Sequence, residues 1–297
     1  MIELLRETVP AGWDGGTVGR WLTRHHRFST SLVRRLKAHQ GIRVNGTLTR
    51  TVDPLRPGDE IVLCLPVSPA PHVQPEPLAI QVVYEDRDLI VLEKPAGQVV
   101  HPTHGVYAGT LANALAWYFR AQPVGIHPVH RLDRDTSGLI VFAKHAWAHQ
   151  ALDSQLRERS LQRTYEALVW GRLAQSSGTI DAAIGLAGDH PVARSVREDG
   201  QPAVTHWEVV SRHEHSDWPE GVTRVRLRLA TGRTHQIRVH MAFLGHPLLG
   251  DRLYGAAHPP VFARQALHAV QLGFSHPRTA AALNFVSPWP ADLRLTP

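Results

Sequence analysis

The 297-residue chain has one cysteine, Cys64, so no internal disulfide can form and the fold must rest on packing alone. Cys64 lies in the alternating run Ile61-Val62-Leu63-Cys64-Leu65 and reads as a small buried hydrophobe. No apolar run approaches the roughly 18 residues of a membrane span. The start, Met1 to Glu7, has no basic-then-apolar leader pattern. A soluble protein of the cytoplasm, with no membrane partner, is expected. Neither Gly-x-x-x-x-Gly-Lys-Ser/Thr nor Gly-x-Gly-x-x-Gly occurs, which leaves a nucleotide cofactor without support. There are 20 histidines, among them His145 and His149 one helical turn apart, and His101 close to His104. Yet His145-Ala-Trp-Ala-His149 lacks the glutamate of a zinc-protease helix and no cysteine cluster exists, so no metal is expected. No internal repeat stands out, and a monomer is expected.

Acidic residues are missing from two stretches. Between Thr17 and Arg50 there are none, against Arg20, Arg24, Arg27, Arg34, Arg35, Lys37, Arg43 and Arg50. With those eight removed from the 32 basic residues, 24 face 26 acids elsewhere, so the formal charge of +6 belongs to the N-terminal segment. Such a patch is the electrostatic footprint of a nucleic-acid binder. The second acid-free stretch runs from Val222 to Gly250. Its arginines must find a distant carboxylate or a phosphate, and Asp133 is the distant candidate.

Five prolines between Pro66 and Pro77 forbid a helix or an interior strand and favour an extended linker. It divides the chain into residues 1–65, a linker over 66–79, and residues 80–297. A spacer of this kind would let two domains touch different parts of one large ligand. Before it, Ser29-Thr30-Ser31 can cap a helix over Leu32 to His39, with Leu32, Val33 and Leu36 on one side and Gly41 as the stop. Asn45-Gly46 is a hairpin turn between Ile42-Arg43-Val44 and Leu48-Thr49-Arg50, and Pro57-Gly58-Asp59 precedes a further strand. The order of helix, hairpin and strand resembles the S-four-like RNA-binding domain, over about residues 15–65.

Beyond the linker, strands are predicted over Asp88–Glu93 and Arg163–Gly171, and helices over Leu111–Phe119 and Trp147–Leu156. Thr223 to Leu229 alternates arginine with aliphatics, the pattern of an antiparallel sheet with one wet face. Ile237, Met241 and Leu244 mark another helix. The densest chemistry is His130-Arg131-Leu132-Asp133-Arg134-Asp135-Thr136-Ser137-Gly138, a polar loop feeding the apolar run Leu139–Phe142. A loop held by a buried strand is where reactive groups are usually carried. The residues themselves do not choose between Asp133 and Asp135.

Together these segments resemble the RluA-type pseudouridine synthases, which modify uridines in ribosomal and transfer RNA. The matching motifs are Tyr84-Glu85-Asp86 with Lys94-Pro95-Ala96-Gly97, His130 to Gly138, Arg163-Thr164-Tyr165, Thr231 to His240, Gly250 to Gly255, and Leu267-His268-Ala269. The resemblance covers about residues 80–290. It implies an α+β protein in which a small α+β RNA-binding domain precedes a mixed, mainly antiparallel catalytic sheet. It implies an isomerase that needs no cofactor, with rRNA or tRNA as partner and Asp133 as the reacting group. Tyr165 would stack on the uracil and exchange the proton at ring carbon 5, and Arg238 would pair with Asp133 and hold it ionised. Arg131 and Arg233, with Arg34, Arg35, Lys37 and Arg43 of the first domain, would contact RNA. Glu93 stands where the family usually has asparagine, and the stretch Gly188 to Val196 lacks a Lys-Met pair often found there. Two other classes fit parts of the pattern. A silent RNA-binding factor would lack Asp133, Tyr165 or Arg238, and a two-carboxylate hydrolase using Asp133 and Asp135 would release free base.

Overall fold

The computed structural model describes residues 1–66, 73–188, 190, 192–215 and 218–295. The first elements are β1 (Ile2–Thr8), β2 (Gly16–Thr17), α1 (Val18–Arg20), a π-turn over Trp21–His25, α2 (Thr30–Ala38), β3 (Ile42–Val44), β4 (Thr47–Leu48), β5 (Pro54–Leu55) and β6 (Glu60–Leu65). They build a four-stranded antiparallel sheet in the order β1-β6-β3-β4, with a two-stranded ribbon of β2 and β5. The Ser29 hydroxyl caps α2 by accepting from the Leu32 amide, and Leu32 and Leu36 turn inward onto Ile42 and Leu63. Asn45 and Gly46 both take positive φ, 50° and 77°, as the tight β3-β4 hairpin requires. Strand β1 escapes a reading by alternation because a bulge between Glu3 and Leu5 puts both Leu4 and Leu5 inside. The expected strand Leu48-Thr49-Arg50 ends early, since the Asp53 carboxylate draws the Arg50 amide into a turn at 2.8 Å.

There follow β7 (Gln81–Glu85), β8 (Leu89–Lys94), α3 (Leu111–Tyr118), β9 (His127–Pro128), β10 (Ser137–Ala143), α4 (Ala146–Arg157), β11 (Gln162–Trp170) and β12 (Ser177–Asp181). The last are β13 (Ile184–Leu186), β14 (Arg194–Val196), β15 (Val204–His215), β16 (Trp218–Leu229), α5 (Gln236–Phe243), β17 (Leu267–Ser275) and β18 (Ala282–Val286). A ten-stranded sheet runs β12-β15-β16-β11-β17-β10-β8-β7, with β18 on β17 and β9 on β10. Its pairs are antiparallel except β10 with β17, so the α+β, mainly antiparallel class expected from the alternation holds. Among the described residues no helix is long and apolar enough to cross a membrane.

The proline-rich segment departs from a free spacer. Residues 67–72 of the linker lie outside the described residues. Beyond them the chain is pinned to the start of α3: the Glu76 amide donates to Asn113 O at 3.1 Å, and Asn113 Nδ2 donates to Gln74 O at 2.7 Å. The N-terminal sheet is also docked on the larger one. Trp147 of α4 is buried in the apolar cluster of Trp21, Phe28 and Leu32. Arg278 lies 4.9 Å over the Trp147 ring, donates to Leu4 O at 2.8 Å and grips the fully buried Asp88.

Gly138, where the polar loop enters β10, has φ of 113°, and a Cβ there would meet Ala269 O of β17 at 2.4 Å. Gly138→Ala therefore combines backbone strain with a backbone clash, and is expected to lower stability by about 3 kcal/mol. A denaturant midpoint no lower than that of the parent protein would refute this.

Candidate active site

The loop before β10 owes its shape to two buried basic side chains. Lys94 Nζ, at the end of β8, donates to Pro95 O and Gln98 O at 2.8 Å each and to Arg134 O at 2.9 Å. Burial pushes its pKa from 10.5 down to about 7, against the pull of the Asp135 and Asp133 carboxylates. Arg264 is held by Asp292 at 2.7 Å, and its other nitrogens reach Asp135 O at 3.0 Å, Leu267 O at 3.2 Å and Ser137 Oγ at 3.0 Å. The loop carbonyls are thus satisfied from inside, and Thr136 N closes a turn onto Asp133 O.

Helix α5 brings the opposing charge. Its entry is pinned by Gln236, whose Oε1 accepts from Thr231 Oγ1 and the Arg233 amide while Nε2 donates to Val204 O and Thr205 Oγ1. His235, just before, sits at φ 58°, the left-handed region that only a well-determined surrounding sustains. Arg238 then points inward. Its Nε and Nη2 meet the two oxygens of Asp251 at 2.7 and 2.9 Å, and Nη1 reaches Asp133 Oδ2 at 3.3 Å. Burial opposes the guanidinium charge, but the carboxylates Asp251 and Asp133 outweigh it and raise the Arg238 pKa. The Tyr254 ring lies 5.0 Å under the guanidinium, and its hydroxyl is shared with His235 Nδ1 and the Arg194 amide at 2.9 Å each.

Asp133 thus has Arg238 as expected, but Arg238 has a stronger partner. The carboxylate that Arg238 lacks within the acid-free stretch is mainly Asp251, the residue immediately after its end, which sequence reasoning placed within a motif without a role. Lys94 also stood in a motif without a role, whereas Arg264 had no sequence signal. The signal for Asp251 was present: it is the first acid to follow 29 acid-free residues from Val222 to Gly250.

A cleft of about 730 Å³ opens over this loop, and its lining includes His130, Arg131, Asp133, Arg163 and Tyr165. That volume suits a ligand of nucleotide size. A smaller recess of about 50 Å³ continues from it, lined by Asp133, Tyr165, Arg238, Arg131 and Arg233. Asp135 lines neither. Tyr165 comes from β11 and is buried, which raises its hydroxyl pKa. His130 is deeply buried and its pKa falls to about 3, first by burial and then by Arg163. Arg131 and Arg233 are exposed at the rim, and Arg233 Nε is anchored on Pro202 O at 3.0 Å. Arg34, Arg35, Lys37 and Arg43 stay on the N-terminal unit, outside the cleft lining, with Arg34, Lys37 and Arg43 exposed and Arg35 half-buried.

Other sequence candidates have structural employment. Arg224 and Arg226, expected on a wet face, flank the buried Glu166 of β11 at 2.8 and 2.9 Å. His145 caps α4 through Nδ1 and gives Nε2 to Asp88, so it cannot join His149 on a metal. Asp86, Asp88 and His276 converge, but Arg278 already takes both Asp88 oxygens, which leaves a poor cation site. Glu93 has its pKa raised by burial, with Ser287 as a partly offsetting partner, and lines a separate cavity rather than the cleft.

Residues 88–243 match the RNA pseudouridylate synthase family. The chain is 42% identical over 259 residues to an uncharacterized RNA pseudouridine synthase, YhcT, of Bacillus subtilis, covering 86% of this chain and 84% of that one. It is 41% identical over 266 residues to ribosomal large subunit pseudouridine synthase D of Pseudomonas aeruginosa, covering 84% and 80%. The fold is similar to that of human RNA pseudouridylate synthase domain containing 1, with a TM-score of 0.59 and 28% identity over 72% of this chain and 86% of that one.

Two outcomes follow from the buried charges. Asp251→Ala leaves Arg238 with one distant carboxylate and should cost about 3 kcal/mol of stability; a change within about 0.5 kcal/mol would be ordinary for a surface site and would refute the buried pair. For Lys94, the unfolded chain binds a proton that the native one has lost between about pH 7 and 10.5. Its contribution to stability therefore rises with pH across that window, by at most about 1.4 kcal/mol per unit. Lys94→Met should remove that rise in denaturant midpoints compared at about pH 7.5 and about pH 9.5; an unchanged difference between the two pH values would mean Lys94 keeps its proton.

Proposed function

The chain belongs to the RNA pseudouridylate synthase family and isomerises uridine to pseudouridine in RNA, and from that premise we propose that Asp133 is the reacting group and large-subunit ribosomal RNA the substrate. One observation carries the assignment of Asp133. It lines both the cleft and the recess beside Tyr165 with Arg238 Nη1 at 3.3 Å, while Asp135 lines neither and gives its backbone oxygen to Arg264. Relatives named for the large ribosomal subunit support rRNA over tRNA.

The reaction breaks the bond from uracil nitrogen to the sugar, turns the base, and joins it through ring carbon 5, whose proton is given up while the freed nitrogen gains one. Every atom of the nucleotide is kept and no net oxidation occurs, so no cofactor is called for. A carboxylate suits this work because it can attack the sugar or the ring, or take a sugar proton, and afterwards leave or act as an acid. Arg238 holds positive charge against Asp133 without being free to leave, since Asp251 grips its other edge. Tyr165 offers a flat ring beside Asp133 for the uracil, and its raised pKa keeps the phenol protonated for exchange at carbon 5. A uridine in folded RNA must be flipped out to reach this recess. Arg131 and Arg233 at the rim would take its flanking phosphates, and the S-four-like unit with Arg34, Arg35, Lys37 and Arg43 would bind RNA further out. The enzyme would work in the cytoplasm as a monomer.

Asp133→Asn should abolish pseudouridine formation, by at least about 1,000-fold, with RNA affinity nearly intact, and Asp135→Asn should be milder. Pseudouridine mapping on rRNA and tRNA incubated with each variant, together with the mass of the product, checks this. Equal loss in both variants, or release of free uracil, would overturn the assignment; modification of tRNA alone would overturn the substrate.

A further inference from the structure

We propose that the N-terminal unit is one fixed wall of the RNA site, set in place by Trp147, Gln150 and Arg278 as positioning residues, so that the enzyme takes RNA running from α2 across β9 into the cleft. This deepens the proposed function and rests on it. Helix α4 is the strut. At its start Trp147 is buried against the N-terminal unit, 6.1 Å from the Phe28 ring, with Arg278 across its other side tied to Leu4 O. One turn on, Gln150 bridges the boundary twice, accepting from the Ser29 amide and donating to Arg27 O at 2.8 Å each. Arg87 adds a bond to Glu3 O at 3.2 Å. Bonds from three separate segments fix an orientation, which a single tether cannot.

At its far end the same helix reaches the cleft. Leu156 and Arg157 line the cleft, as does Arg159 just beyond. From Trp147 to Arg157 is ten residues, about 15 Å of helix, or roughly four nucleotide steps at about 3.4 Å. Alongside runs β9, whose His127 ring is 5.6 Å from His149 of α4. Arg35 of α2 shares a small cavity with His127, and the next residue, Pro128, already lines the cleft. Strand β9 therefore stands between the basic helix and the cleft, bordering the cavity of Arg35 with His127 and the cleft with Pro128.

Charge identifies what lies along this path. Among the described residues Arg34, Arg35, Lys37, Arg131 and Arg159 have no carboxylate within ion-pair distance, whereas Arg224 pairs with Glu166 and Arg226 with Glu166 and Glu208. Inside the cleft Arg163 Nε is buried with no hydrogen-bond partner. Cations left unpaired along a path that ends at the reacting uridine fit the phosphates of the same RNA chain.

The test uses full-length protein and two RNAs, one ending within a few nucleotides of the target uridine and one extending well past it. Gln150→Ala and Trp147→Ala should each lower kcat/KM on the long RNA, by roughly 10-fold for Trp147→Ala, through KM, and leave the short RNA unchanged. The slope of log affinity against log salt should flatten by about 0.7 to 0.9 for each phosphate that the variant no longer neutralises. Trp147→Phe, which keeps the apolar packing, should restore the long RNA. An equal fall on both RNAs, or no fall on either, would overturn the proposal. Failure of the parent enzyme to form pseudouridine in either RNA would instead overturn the functional reading on which it rests.

Discussion

A polar loop that enters a fully buried strand turns backbone carbonyls toward buried side chains, and the rest of the site depends on how they are satisfied. β10 is buried along its whole length, and just before it Arg134, exposed, and Asp135, half-buried, turn their carbonyls inward. Lys94 and Arg264 answer this from two sides, one on Arg134 O and the other on Asp135 O and Ser137 Oγ. Their own charges are then met unequally. Arg264 has Asp292, while Lys94 has only carbonyls within bonding distance and a lowered pKa. With the backbone held this way, the Asp133 side chain is left to face the cleft.

The second consequence is electrostatic. A guanidinium brought to a half-buried carboxylate by that carboxylate alone would follow it when the charge moves. Arg238 cannot, because its bidentate partner Asp251 is wholly buried and itself accepts from the Leu253 and Tyr254 amides at 3.0 and 3.1 Å. The cation is therefore preorganised, and its field at Asp133 is present before any substrate arrives.

How much of this was legible follows from the range of each interaction. Elements with a clean period were read within one or two residues, as with β8, α3, α4 and β11, because alternation and helical spacing are local. β1 was hidden by its bulge; β16 does alternate buried aliphatics with arginines on its more open face as read, but their partner Glu166 was not legible, since it lies some sixty residues away in sequence and only the β11-β16 register sets it beside Arg226. At the site, Asp133, Tyr165 and Arg238 were named from motifs and do converge on one recess. Asp251 and Lys94 were in view without a role, since nothing local says which buried carboxylate an arginine will choose or that a lysine will point under a loop.

The prolines illustrate the same limit in reverse. Composition alone makes Pro66 to Pro77 a spacer, and a spacer implies two independent bodies. What decides the matter is surface chemistry that composition does not order: a tryptophan on the outer end of a catalytic-domain helix, a cation to cover it, and an amide side chain to reach across. An indole left in water is costly, and burying it is worth roughly 2 to 3 kcal/mol. Asp88, buried under the same boundary, is held ionised against its burial by His145 and Arg278 together. Removing the N-terminal unit would therefore expose Trp147 and take away the Leu4 oxygen that anchors Arg278, and the two bodies are better regarded as one packed unit than as a body with an appendage.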